Sequence, residues 1–132
     1  MVEKTLMIIK PDATARKVIG DIISMVESRF EIRGIIMKTL TVEEAQKFYA
    51  VHRGKPFYDA LVEFMTSGPV VGILLEGENA IKRLREVVGA TDPAKAEPGT
   101  IRAKFGTDVQ RNAVHASDSP ESAEYEIPFF FK

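Results

Sequence analysis

Thr5-Leu6-Met7-Ile8-Ile9-Lys10-Pro11-Asp12 is the stretch that decides the fold. Thr5 to Ile9 reads as one short unbroken apolar run, which suits a strand buried on both faces rather than one with a wet side. Pro11 has no N–H to give to a ladder, so the strand stops there. Lys10 is thereby delivered at a strand end, where a functional group can emerge.

Downstream, Ile19, Ile22, Ile23, Val26 and Phe30 follow the i, i+3, i+4, i+7 rule, predicting an amphipathic helix after Thr14. Ile32 to Leu40 reads as a second strand, with enough apolar surface to serve core or subunit interface equally well. Thr41-Val42-Glu43-Glu44 has the form of a capping box, continued as a helix by Ala45, Phe48 and Tyr49. After a break at His52-Arg53-Gly54-Lys55-Pro56, the stripe Phe57, Leu61, Phe64 and Met65 makes another helix, closed by Ser67-Gly68-Pro69.

Val70 to Leu75 reads as a third buried strand and Gly77-Glu78-Asn79 as a turn and cap. Ile81, Leu84, Val87 and Val88 form a helix that ends at Gly89. From Gly89 to Phe105 the pattern vanishes, and a loop of that length inside a compact domain is functional or disordered. A fourth short strand leads to His115, Pro120 and Glu121 open a last helix, and Phe129-Phe130-Phe131 end the chain. This order predicts an α/β sandwich, one sheet with helices on one face.

A chain of 132 residues, 45% hydrophobic, forms one domain spanning residues 1–132. It contains neither an apolar membrane span nor the pattern of a secretory signal at Met1-Val2-Glu3-Lys4, so the cytoplasm is the expected location. The absence of cysteine excludes disulfides and thiol catalysis, and two distant histidines argue against a zinc site. With 18 Lys plus Arg against 19 Asp plus Glu, no global field draws the chain to nucleic acid or to an anionic membrane.

His115, in Arg111-Asn112-Ala113-Val114-His115-Ala116-Ser117-Asp118-Ser119, is the leading candidate for chemistry, because imidazole is a nucleophile at neutral pH. A histidine beside Val and Ala fits a structural role as well, and this stretch alone leaves the two readings level. No Gly-x-x-x-x-Gly-Lys-[Ser/Thr] loop and no Gly-x-Gly-x-x-Gly occurs. Phosphates would therefore be held by side chains, with Lys10, Arg85, Arg102 and Arg111 as candidates. Ser117 is a second candidate nucleophile, weakened by the lack of Gly-x-Ser-x-Gly, while Asp118 and Ser119 before Pro120 read as a helix cap. A nucleophilic histidine needs a partner for its other nitrogen; Glu126 is a reachable carboxylate, and Ser117 could hold it.

Five blocks carry a resemblance: Thr5 to Asp12, Arg53-Gly54-Lys55-Pro56-Phe57, Ser67-Gly68-Pro69-Val70-Val71, Pro98-Gly99-Thr100-Ile101-Arg102, and Asn112 to Ser119. In order and spacing they resemble nucleoside diphosphate kinases over essentially the whole chain, and the Asn-x-x-His-[Gly/Ala]-Ser-Asp segment is the most specific of them. The resemblance implies a ferredoxin-like α/β sandwich (α+β) with a four-stranded antiparallel sheet covered by helices. It also implies ping-pong exchange of the γ-phosphate between ATP or other nucleoside triphosphates and diphosphates, which maintains triphosphate pools. His115 matches the residue phosphorylated on Nδ1, Glu126 the carboxylate that orients the ring, and Ser117 the hydroxyl supporting that carboxylate. Lys10 and Asn112 match the groups on the sugar hydroxyls; Tyr49, Arg85, Thr91 and Arg102 those around the phosphates; Phe57, Leu61 and Val109 the apolar base slot.

The long loop after Gly89 then acquires a function, since it carries Thr91 and leads into Arg102. Mg2+ is expected to arrive with the nucleotide, with no protein ligands. Ala116 departs from the commoner glycine, a small change. The sequence ends soon after Phe131, without the longer tail of eukaryotic members, so a homo-oligomer built from dimers is expected with tetramer and hexamer both open. A non-catalytic nucleotide-binding regulatory module on the same fold is the alternative; a role on nucleic acid draws no support from the balanced charge, and no membrane partner is expected.

Overall fold

The computed structural model describes residues 2–131. Its elements are β1 (Val2–Ile9), α1 (Pro11–Ala15), α2 (Ile19–Glu27), β2 (Glu31–Lys38), α3 (Val42–Phe48), α4 (Tyr58–Met65), β3 (Val70–Glu78), α5 (Ala80–Val88), α6 (Ile101–Phe105), β4 (Val114–Ala116) and α7 (Pro120–Glu126). Short 3₁₀ turns occupy Ala50–His52, Pro93–Lys95 and Ile127–Phe129. The strands form one sheet in the order β2-β3-β1-β4, antiparallel at every pairing. This is the ferredoxin-like arrangement, with α3 and α4 inserted between β2 and β3.

β1 is the support of the molecule. Leu6, Met7, Ile8 and Ile9 are all fully buried, and because strand side chains alternate they feed two cores. Met7 and Ile9 pack with Ile22 and Val26 of α2, Leu84 and Val88 of α5 and Ile101 of α6. Leu6 and Ile8 pack with Phe48 of α3, Met65 of α4 and Phe130 of the aromatic tail. Helices on one face only, as the element order predicted, is thus corrected: α2 and α5 cover one face, and α3, α4 and the tail cover the other. An unbroken apolar β1 requires this, since each face buries side chains worth about 1.5–3 kcal/mol apiece.

The tail docks where the sheet has no side chain in its way. A Cβ on Gly72 would lie 2.5 Å from Phe130, and one on Gly34 would lie 2.7 Å from Phe131. Both glycines admit a ring against bare backbone.

Three sequence readings change. The segment from Gly89 to Phe105 is ordered locally: Asp92 caps the turn at Pro93, accepting from Ala94 N at 3.0 Å, and Thr100 caps α6, accepting from Ala103 N at 3.3 Å. Helices of three and five residues are too short to show a period. Gly77 and Glu78 extend β3 instead of turning, and Asn79 alone reverses the chain with φ +48°. Pro11 both ends β1 and starts α1 at once, as its fixed φ and missing N–H allow at a first helical position.

Candidate active site

β4 places His115 opposite Ile8, beside the end of β1 that delivers Lys10. Ser119 caps α7, its Oγ accepting from Ser122 N at 3.0 Å, with Pro120 in the first turn. The helix runs back along the sheet and brings Glu126, its last residue, to the imidazole. Glu126 Oε1 lies 2.8 Å from His115 Nε2 and also accepts from Ser117 Oγ at 2.7 Å.

A carboxylate oxygen can only accept, so Nε2 carries a proton, and in the neutral ring the lone pair is on Nδ1. The Phe48 and Tyr49 rings meet the imidazole in T-shaped contacts, with centroids 5.3 and 6.1 Å away, and fix its plane. Ser117 is fully buried with its hydroxyl committed to Glu126. Ser117 does not line the cleft, and its hydroxyl is taken up by Glu126.

In front of His115 lies a cleft of about 500 Å³, lined by Lys10, Tyr49, Phe57, Leu61, Arg85, Thr91, Arg102, Val109, Asn112 and His115 itself. Lys10 is buried, its Nζ donating to Asn112 Oδ1 at 2.9 Å and to Gln110 O at 2.7 Å. Asn112 is oriented completely, because its Nδ2 donates to Thr91 O at 3.0 Å and Val109 O at 2.9 Å. Burial pulls the Lys10 ammonium down to about 8, with Asp12 opposing and Arg102 adding to the fall.

Arg102 is buried, and its terminal nitrogens donate to Gly89 O at 3.1 Å and Val114 O at 2.9 Å. Burial, then the charge of Arg85, pulls it down to about 10. An anion in the cleft would relieve the buried Arg102 guanidinium, whose charge is disfavoured by burial and by Arg85. Arg85 reaches Ala116 O at 3.4 Å and is otherwise exposed. Tyr49 is held above its ordinary value by burial and by Glu126. Phe57 and Val109 are 48% and 58% exposed, forming the apolar lips of the cleft with the half-buried Leu61.

Arg111 does not join this group. It is exposed, pairs with Asp108 at 3.2 Å, and borders a different cleft. His52, passed over in the sequence, does line the site. Its ring stacks on Tyr49 at 6.3 Å and lies 5.2 Å from Phe57, and burial and Lys55 hold its pKa below the usual value. The signal was its spacing, one turn after Tyr49. Among the described residues no group of three His, Cys, Asp or Glu is placed to hold a metal ion, and no helix is long and apolar enough to cross a membrane.

A sequence profile described as nucleoside diphosphate kinase matches residues 3–132. The nucleoside diphosphate kinase of Persephonella marina is 56% identical over 131 residues, covering 98% of this chain and 94% of that protein. A crystal form of the Aquifex aeolicus nucleoside diphosphate kinase matches with a TM-score of 0.96 and 53% identity, covering 100% of this chain and 96% of that one. A halophilic nucleoside diphosphate kinase from Halobacterium salinarum, solved in complex with CDP, matches with a TM-score of 0.95 and 40% identity, covering 100% and 89%. With agreement of this order in sequence and backbone over its whole length, the chain belongs to the nucleoside diphosphate kinase family.

Proposed function

We propose that this protein transfers the γ-phosphate of a nucleoside triphosphate to a nucleoside diphosphate by a ping-pong route through phosphohistidine at His115. In the first half, Nδ1 attacks the γ-phosphorus, the bond to the β,γ-bridging oxygen breaks, and its electron pair leaves with the diphosphate. In the second half, a terminal oxygen of the incoming diphosphate takes the phosphoryl group and Nδ1 regains its lone pair. The observation that carries this reading is Glu126 Oε1 held between His115 Nε2 and Ser117 Oγ. It fixes the tautomer and supplies negative charge as the ring becomes cationic.

In this reading Lys10 and Asn112 hold the sugar hydroxyls, and Tyr49, Arg85, Thr91 and Arg102 surround the phosphates. Mg2+ enters as part of the Mg-nucleotide substrate and neutralises charge on the transferring group. Phe57, Leu61 and Val109 receive the base through its face, which every base possesses, so bases are tolerated broadly. Nucleoside diphosphate binding is supported by the CDP complex of the Halobacterium salinarum relative. The protein acts in the cytoplasm, on the triphosphate pools.

A homo-oligomer built from dimers, tetramer or hexamer, is supported by edge strand β2, where Ile35 and Met37 are 50% and 56% exposed on one face. Light scattering measures the size. Incubation with γ-labelled Mg-ATP alone tests the chemistry. An acid-labile, alkali-stable phosphoenzyme discharged by GDP and absent from His115→Ala is expected; no label on the wild type, or label unaffected in His115→Ala, defeats the reading.

A further inference from the structure

Asp12 stands outside the nucleotide cleft, facing a neighbouring one, yet it is bonded to the backbone from which the site is hung. Ala113 is fully buried and has φ +75°, and Val114 N donates back to Asn112 O at 2.9 Å, closing a three-residue turn around it. Such a γ-turn is strained for a residue with a Cβ and persists only where its surroundings hold it. Two contacts from the β1–α1 junction do so. Lys10 N donates to Ala113 O at 2.9 Å, and Asp12 Oδ2 accepts from Ala113 N at 3.0 Å.

The turn has a cleft residue at its start and another just beyond its end. Asn112 opens it, with every polar atom of its amide engaged, and His115 follows its last residue on β4. We propose that Asp12 is a positioning residue for phosphoryl transfer: its carboxylate clamps the Asn112-Ala113-Val114 turn, setting the sugar-holding amide and the phosphoryl acceptor in one fixed relation. This rests on the phosphohistidine reading above.

Asp12 is costly to keep where it is. Burial raises its pKa, while the hydrogen bond from Ala113 N, the charge of Lys10 and the N–H groups of Asp12 and Ala13 at the start of α1 lower it. A side chain that only started α1 would face water, as an acidic residue in a first helical turn ordinarily does. The inward carboxylate is explained by the turn it holds.

The test compares Asp12→Ala, Asp12→Asn and the double variant Asp12→Ala/Ala113→Gly with the wild type, measuring single-turnover phosphoenzyme formation, KM for the nucleotide, and unfolding midpoints. Asp12→Ala removes the acceptor; phosphorylation is expected to slow about 10- to 150-fold, the range for losing a hydrogen bond to a charged group, with KM rising. Asp12→Asn keeps an oxygen for Ala113 N but gives up its charge, so it slows less than Asp12→Ala, by about 5- to 30-fold. Ala113→Gly in the alanine background recovers part of the loss, because glycine takes φ +75° without strain.

Wild-type phosphorylation in Asp12→Ala, Asp12→Asn as slow as Asp12→Ala, or no recovery on adding Ala113→Gly each overturns the clamp. Should Asp12→Ala not fold, Asp12→Asn decides alone: slowing of about 5- to 30-fold with a raised KM supports the proposal, and a wild-type rate or slowing beyond about 30-fold rejects it. A wild-type protein that forms no phosphoenzyme rejects the reading of the site itself, a result distinct from all of these.

Discussion

Replacing Glu126 by Gln changes one charge and little volume. In the native protein a single oxygen, Oε1, accepts from both His115 Nε2 and Ser117 Oγ, at 2.8 and 2.7 Å, with side chains only 23% (His115) and 13% (Glu126) exposed. The glutamine carbonyl can still accept from Nε2, so the tautomer survives; what is lost is negative charge beside a ring that turns cationic as Nδ1 bonds to phosphorus. Hydrogen bonds to charged groups contribute about 1.5–3 kcal/mol and neutral ones about 0.5–1.5. The difference, about 1–2 kcal/mol, corresponds to a slowing of about 5- to 30-fold. Rapid-quench measurement with labelled Mg-ATP in single turnover reads that rate, and calorimetry with ADP reads affinity, which is expected to stay at the wild-type value because Glu126 lies behind the ring. An unchanged single-turnover rate refutes the reasoning, and so does lost ADP affinity at an unchanged rate. Since Ser117 acts on the same oxygen, Ser117→Ala and Glu126→Gln should be less than additive in a double-variant cycle.

Raising the pH through about 8 removes the proton from folded Lys10, while the unfolded chain keeps it to the ordinary lysine range near ~10.4. The unfolded state then binds more protons, so across that window stability rises with pH as nucleotide affinity falls; urea midpoints and ADP titrations check both, and a Lys10→Met variant with the same slopes rejects the assignment. Gly72→Ala forces a methyl to within 2.5 Å of Phe130, and overpacking of this kind costs about 1–3 kcal/mol; an unshifted denaturation midpoint contradicts the packing described for the tail. Phe57→Ala removes a half-exposed stacking face and should raise KM about fivefold or more for adenine, guanine and pyrimidine nucleotides alike, whereas a loss confined to one base points to edge recognition instead.

What the sequence disclosed depended on how far each signal reached along the chain. Leu6 to Ile9 declared a strand buried on both faces because four consecutive apolar residues leave no wet side, and the Thr41–Glu44 capping box is present with both of its hydrogen bonds, each 3.0 Å. Thr91 and Arg102 fell in a segment without a period, since α6 has five residues and is held by caps rather than by a long apolar face. What covers the second face was invisible for another reason. Phe130 and Phe131 reach Gly72 and Gly34 across the whole chain, and no local pattern records a contact of that separation. Arg111 looked as favourable as Arg102 because both are arginines near a motif; only the fold shows that one is buried against Gly89 O and Val114 O while the other pairs with Asp108 in solvent.

Several of this molecule's free-energy costs fall around the candidate site. Lys10 and Arg102 are buried cations with lowered pKa values, Asp12 is a half-buried carboxylate with a raised one, and Ala113 has a left-handed backbone. Lys10, Asp12 and Ala113 lie within a few residues of β1's end or of β4, and Arg102 donates to Val114 O of β4. Groups in such states persist when the surroundings leave them no alternative, and here the surroundings are the two most buried strands, with β1 packed on both faces and β4 paired only to it. The contacts at the cleft mouth are of the opposite kind: Phe57 and Val109 are about half exposed and carry little of the core. Substitutions at the mouth should therefore alter affinity at constant stability, whereas those at Lys10, Asp12, Arg102 and Ala113 should move stability and rate together. This division follows from burial alone and holds whichever nucleotide occupies the site.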